Sequence, residues 1–342
     1  MKKIVKIFSL VLLTLFCVLV IYIIIDPELP NQTNAVITNI TNGTIPELVH
    51  GDSGYVDSGT TKIWYEIKNK STTTNTKGTV LLINGYTEPS TLWNQFLIKT
   101  IIDSGYQVIR FDNRDVGLSD WTDTEHSNYT YTMKDMVDDA MAVLDQNGIS
   151  KAHLVGYSMG GYIAQRIAIE YPNRVLSLTS LSSTADFNDN HPEYNWTPPA
   201  VIKLAIRNAL LKDDKSLLKL YFKVLYEVNG NDTYHMELKL LGEQVLYEQH
   251  KRRGVNIDAG IHQGFAIKNA ESNYAELDKL KMATLIVHGK KDPILSFELA
   301  KKYSEKIENS KKIWINEAGH LITNDYVEQF RHEFIKMLSE NQ

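Results

Sequence analysis

The chain has 342 residues, 43% of them apolar and 23% charged, and carries a formal net charge of −5. That composition excludes wholesale disorder, and the acidic excess argues against nucleic acid as a partner, because a polyanion binder needs a basic surface to release counterions. The single cysteine, Cys17, excludes an internal disulfide and any zinc site built on several thiolates.

The first charges are Lys2, Lys3 and Lys6, after which residues 7–25 (IFSLVLLTLFCVLVIYIII) are uncharged. At about 1.5 Å per residue such a run crosses roughly 30 Å of hydrocarbon. No small-x-small cleavage site follows it, and the basic side precedes Asp26 and Glu28, which orients the N-terminus inward. The expectation is a membrane anchor through residues 7–25 with the remainder extracytoplasmic; the alternative is a cleaved signal peptide and secretion. Residues 26–47, rich in Pro, Asn and Thr, read as a linker.

Beyond the linker, alternating segments at 54–58 and 62–68 predict an entry hairpin. A short apolar strand at Thr79–Ile83 precedes a helical stretch at 92–103, and a strand at Gln107–Phe111 follows. Apolar residues Met133, Met136, Val137, Ala140, Met141 and Leu144 recur at helical spacing, with Thr132 and Asp135 as a capping pair. The most regular unit is strand Ala152–Tyr157, helix 160–170 and strand Val175–Leu181. Strands separated by helices imply crossover connections and a largely parallel sheet covered on both faces. The alternation lapses between residues 185 and 280. It resumes with a strand at 283–287, a helix at 297–307, a strand at 312–315 and a C-terminal helix from Asn324. One α/β core (residues 48–184 and 281–342) with an inserted helical cap (185–280) is therefore expected.

The strongest local signal is Gly156-Tyr157-Ser158-Met159-Gly160. Gly-x-Ser-x-Gly alone is weak, but here an apolar strand precedes it and an amphipathic helix follows at once. A sharp strand-to-helix turn would project Ser158 from the carboxyl edge of the sheet, where open α/β folds bind ligands. A serine hydroxyl needs a base, and that base needs an orienting acid. Among ten histidines, His320 stands just beyond a late strand, behind Asn316-Glu317-Ala318-Gly319; His288, ending the preceding strand, is its main competitor. Asp292, in His288-Gly289-Lys290-Lys291-Asp292-Pro293, keeps the chain order Ser, Asp, His; Asp186 is the runner-up acid. Oxyanion donors are expected from the N–H of Met159, at a helix start where the dipole assists, and from the N–H of Tyr86 in the loop after strand Thr79–Ile83.

These residues resemble the α/β-hydrolase superfamily over nearly all of residues 50–340, and within it the esterases grouped with aclacinomycin methylesterase. The resemblance rests on Leu82-Ile83-Asn84-Gly85 with Trp93, on the run Arg110-Phe111-Asp112-Asn113-Arg114-Asp115-Val116-Gly117-Leu118-Ser119, on the Gly156–Gly161 turn, on His288-Gly289 with Asp292-Pro293, and on Gly319-His320. It implies an α/β-hydrolase fold, a triad of Ser158, Asp292 and His320, an oxyanion hole at Tyr86 and Met159, and a mostly helical lid. Many members carry histidine where Asn84 stands, a change that leaves the backbone donor intact. Asp112, Arg114 and Asp115 are expected to brace the loop beside the site by charged hydrogen bonds.

The expected function is a serine hydrolase cleaving a carboxylic ester through an acyl-enzyme, with no metal or organic cofactor. Apolar stripes in the insertion favour an uncharged, hydrophobic small-molecule ester. The same fold also hosts peptidases, carbon–carbon hydrolases and perhydrolases, and a non-catalytic binding protein is a further alternative.

Overall fold

The computed structural model describes residue 29 and residues 31–69, 76–122, 131–189, 212–230 and 236–342. Its centre is an eight-stranded sheet, β1 (Asp52–Ser58), β2 (Thr61–Lys68), β3 (Thr79–Ile83), β4 (Gln107–Phe111), β5 (Ala152–Tyr157), β6 (Val175–Leu181), β7 (Ala283–Gly289) and β8 (Ser310–Ile315). The spatial order is β1-β2-β4-β3-β5-β6-β7-β8. The β1–β2 hairpin joins β4 antiparallel, and every later pairing is parallel. The inner strands β3 and β5 are buried at every residue, as a sheet covered on both faces requires. From β3 the chain moves to one side to form β4, then crosses back to form β5 on the other. This reversal opens the crevice at the carboxyl ends of β3 and β5 where such sheets bind ligands.

Helices α2 (Gln95–Asp103) and α9 (Asn324–Glu340) cover one face; α3 (Met133–Gln146), α4 (Met159–Glu170) and α8 (Phe297–Ser304) cover the other. The capping pair read at Thr132 and Asp135 forms a reciprocal capping box at the start of α3. Helix α2 starts later than the apolar pattern suggests, because the Asn94 side chain accepts the Leu97 N–H and caps it there.

Between β6 and β7 the chain leaves the sheet and forms α5 (Asp214–Val228), α6 (Leu238–Lys251) and α7 (Ile257–Lys268). The stretch at 26–47 differs from its linker reading, since it contains helix α1 (Asn31–Asn42). Ile37 and Ile40 of α1 are buried with Leu218, Phe222 and Leu246 of α5 and α6. Its Asn- and Thr-rich sequence has low intrinsic helix propensity, so the apolar face offered by the insertion supplies the stabilisation.

The membrane-anchor expectation, and the extracytoplasmic localisation built on it, are corrected here. No helix among the described residues is long and apolar enough to cross a membrane. The longest of them, α9, has 17 residues and a charged outer face, against the roughly 20 apolar residues that a span requires. The run at 7–25 on which the expectation rested lies outside the described residues.

Candidate active site

Ser158 stands at the junction of β5 and α4 with φ 52° and ψ −120°, a conformation that L residues rarely adopt. The flanking glycines allow it. A Cβ on Gly156 would lie 2.2 Å from the Gly160 carbonyl oxygen, and one on Gly160 would lie 2.0 Å from the Ile83 carbonyl oxygen. The strained turn is locked by the Ser158 N–H donating to the Leu181 carbonyl at 2.9 Å and by Ser183 Oγ donating to the Ser158 carbonyl at 2.7 Å.

His320 lies in the loop between β8 and α9, and Asp292 in the loop after β7. The structure brings the three together, His320 lying 162 residues from Ser158 and 28 from Asp292 in sequence: His320 Nε2 is 3.0 Å from Ser158 Oγ, and His320 Nδ1 is 2.7 Å from Asp292 Oδ2. An ionised carboxylate only accepts, so Nδ1 carries the proton and Nε2 is left to accept from the serine hydroxyl. Asp292 Oδ1 accepts the N–H groups of Ile294 and Leu295 at 2.8 and 2.9 Å. Burial acts to raise the Asp292 carboxyl, but the electrostatic attraction of His320 and hydrogen bonds from His288 and His320 outweigh it. The group is held well below the usual carboxylate range.

The competitor residues have other roles. His288 Nε2 donates to the Leu295 carbonyl at 2.7 Å and lies 3.2 Å from Asp292 Oδ2, the same oxygen that His320 Nδ1 meets, so it supports the acid and does not reach Ser158 as its base. Asp186 Oδ1 accepts the Asn188 N–H at 2.8 Å in a local turn. Tyr157 packs a tilted ring on His320, with centroids 5.2 Å apart, and limits the imidazole's freedom.

Met159 is the first residue of α4 and Tyr86 sits in the loop after β3. That loop runs alongside the serine, because a Cβ on Gly85 would meet Ser158 Cβ at 3.2 Å. Asn84 holds the loop's shape: its Nδ2 donates to the carbonyls of Glu88 and Pro89 at 3.2 and 2.7 Å. The insertion fastens the loop from above, with Tyr86 Oη donating to the Gly260 carbonyl and the Thr87 N–H donating to Gln263 Oε1 at 2.7 Å.

The run after β4 forms a second fastening. Asp112 accepts the Ser90 N–H and hydroxyl, each at 2.8 Å, and pairs with Arg252 of the insertion; Arg252 also pairs with Glu248 at 2.9 Å. Arg114 grips Asp139 of α3 through two bonds at 2.7 and 2.6 Å, and Asp115 Oδ2 is 2.8 Å from His262 Nδ1 of α7. These charges brace the loops, as read from the sequence, and also clasp the insertion to the sheet.

Sequence reasoning missed one residue at the site. Glu88, four residues past Asn84, turns its carboxyl back towards Ser158; the imagined Cβ on Gly85 meets its Oε2 at 3.2 Å as well. Burial pushes this carboxyl up to about 8, against the lowering effect of the Gly85 N–H. A lone acidic residue in a turn-rich loop carries no periodic signal that could have revealed it.

Among known proteins, the model of the alpha/beta hydrolase fold family matches residues 78–323. The chain is 26% identical over 261 residues to the rhodomycin D methylesterase DauP of Streptomyces sp. (strain C5), covering 71% of this chain and 85% of that protein. It is 30% identical over 223 residues to the AB hydrolase superfamily protein YisY of Bacillus subtilis (strain 168), covering 63% and 75%. Among solved structures, the esterase EaEST from Exiguobacterium antarcticum superposes with a TM-score of 0.64 at 22% identity, over 84% of this chain and 99% of that one. With the match spanning both halves of the sheet and the insertion between them, the chain belongs to the alpha/beta hydrolase fold family.

Proposed function

We propose that the protein is a serine hydrolase that cleaves a small-molecule carboxylic ester through an acyl-enzyme. The observation that carries this reading is the continuous chain Asp292–His320–Ser158, with hydrogen-bond separations of 2.7 and 3.0 Å, at a strained strand-to-helix turn. The ester class is supported by the likeness to the methylesterase DauP and its counterpart DnrP of Streptomyces peucetius.

In this mechanism Ser158 Oγ attacks the ester carbonyl while His320 Nε2 takes its proton. Asp292 holds the imidazole in the required tautomer and stabilises the imidazolium that forms. The N–H groups of Met159 and Tyr86 receive the developing oxyanion, the first at the positive end of α4. His320 returns the proton to the leaving alkoxide, and a water activated by the same imidazole then releases the acid. Labelling with a fluorophosphonate tests the reading: wild-type protein should label, and Ser158→Ala should not. A folded wild-type protein that takes no label would overturn it.

A further inference from the structure

The buried carboxylates of the described residues have cationic or imidazole partners, whereas Glu88, a half-buried residue beside Ser158, has none. Glu66 pairs with Arg110 at 2.6 Å, Asp139 with Arg114, Glu248 and Asp112 with Arg252, and Asp115 and Asp292 with histidines. No cation acts on Glu88 among the described residues. A largely enclosed carboxyl with a backbone N–H but no counter-charge costs free energy to ionise, so a fold that keeps one beside Ser158 leaves room for a cation to arrive.

Glu88 lines a cavity between the sheet edge and the insertion, walled by residues adjacent in sequence to Ser158 and His320. Its walls include Tyr157, which packs on His320, and Leu321, the next residue after that histidine. Trp93 and Tyr221 add aromatic faces, and the lining contains no lysine or arginine. The other lining carboxylate, Glu237, already accepts the Asn324 N–H at 3.0 Å. Glu88 keeps some accessible surface although protein surrounds its carboxyl, because that surface faces the cavity. The space is about 50 Å³, enough for a few waters or a group of the size of a short alkylammonium.

We propose that Glu88 and this cavity recognise a small ammonium group on the ester, so that the preferred substrates carry a protonated amine near the scissile carbonyl. This rests on the Ser158 reading above. An ammonium would supply the missing counter-charge, and the aromatic walls favour a cation on an alkyl stem. A carboxyl that burial keeps protonated ionises once a cation sits beside it. The apolar wall of the insertion by itself points to uncharged esters; the carboxyl turns that preference towards a cation.

The test compares isosteric esters differing only in charge: ethyl γ-aminobutyrate against ethyl valerate for the acyl side, and dimethylaminoethyl acetate against isoamyl acetate for the alcohol side. In the wild type, kcat/KM should favour the amine of at least one pair by about tenfold or more, and Glu88→Gln should remove most of that ratio. In parallel, propylammonium chloride should stabilise both wild type and Ser158→Ala against heat, saturably and more than sodium chloride at equal ionic strength, and propanol should not. This binding arm needs no turnover. Absent hydrolysis with intact ammonium binding would refute the Ser158 reading alone, whereas turnover of both pairs without amine preference or ammonium binding would overturn the role of Glu88. Both outcomes are read on wild type, so a poorly folding Glu88→Gln leaves the test standing.

Discussion

Two carboxyls flank Ser158 and their surroundings push them in opposite directions. Asp292, in the loop after β7, faces two histidines and two backbone N–H groups and is held ionised. Glu88, in the loop after β3, faces aromatic and aliphatic walls and is pushed up to about 8. Burial opposes ionisation at both sites; neighbouring donors decide which one keeps its charge. In the proposed mechanism the first orients the base, and the second is the group proposed to meet an ammonium.

The contrast breaks most sharply at Asp292. Asp292→Asn should leave the fold in place but present the wrong imidazole tautomer, lowering kcat by about 10⁴-fold in ester hydrolysis assays. A fall of less than about tenfold would show that His320 is oriented by something else.

The next effect is on stability. A carboxyl whose folded pKa is raised contributes most below its unfolded value, and that contribution is lost as pH rises towards the folded value. For Glu88 the window runs from the ordinary 4.5 to about 8. Glu88→Gln should therefore match wild type near the bottom of that window and exceed it by on the order of 2 kcal/mol above the top, discounted because the cavity admits water. Chemical denaturation across the range measures this, and a difference independent of pH would remove the premise that burial keeps the group neutral. Asp292 has the opposite sign: its depressed pKa contributes stability above the unfolded value, lost as pH falls below it.

The smallest effect sharpens the comparison from the acid's side. His288→Phe removes the donor 3.2 Å from Asp292 Oδ2 and leaves the His320 bond intact. Asp292 should then titrate higher, and kcat should fall by about tenfold with the loss concentrated at low pH. An unchanged pH profile would mean that His288 serves packing and the Leu295 carbonyl alone.

The parts of this molecule that were legible in the sequence share one property: local pattern decides them. The Gly156-x-Ser158-x-Gly160 turn between an apolar strand and a helix carries its geometry in five adjacent residues, because only glycine tolerates the approach of Gly160 to the Ile83 carbonyl. The Thr132–Asp135 capping box and the strands β3, β5 and β6 were read for the same reason. His320 and Asp292 could be placed from their position after late strands, since a parallel sheet delivers its strand ends to one edge.

What needed the tertiary structure lies in contacts between distant elements. Helix α1 has too weak a pattern to announce itself and is held by α5 and α6. The division of labour between His288 and His320 turns on what the other contacts of each imidazole reach, Ser158 for His320 and the Leu295 carbonyl for His288. The acidic excess of the opening composition gave no hint of where a single carboxyl would matter. Composition excluded an internal disulfide and a multi-thiolate zinc site and argued against a polyanion partner, and local motif singled out the serine. Only packing set one carboxyl among histidines and the other beside a cavity with no lysine or arginine, because the field at such a group comes from neighbours that the fold, and not the adjacent sequence, supplies.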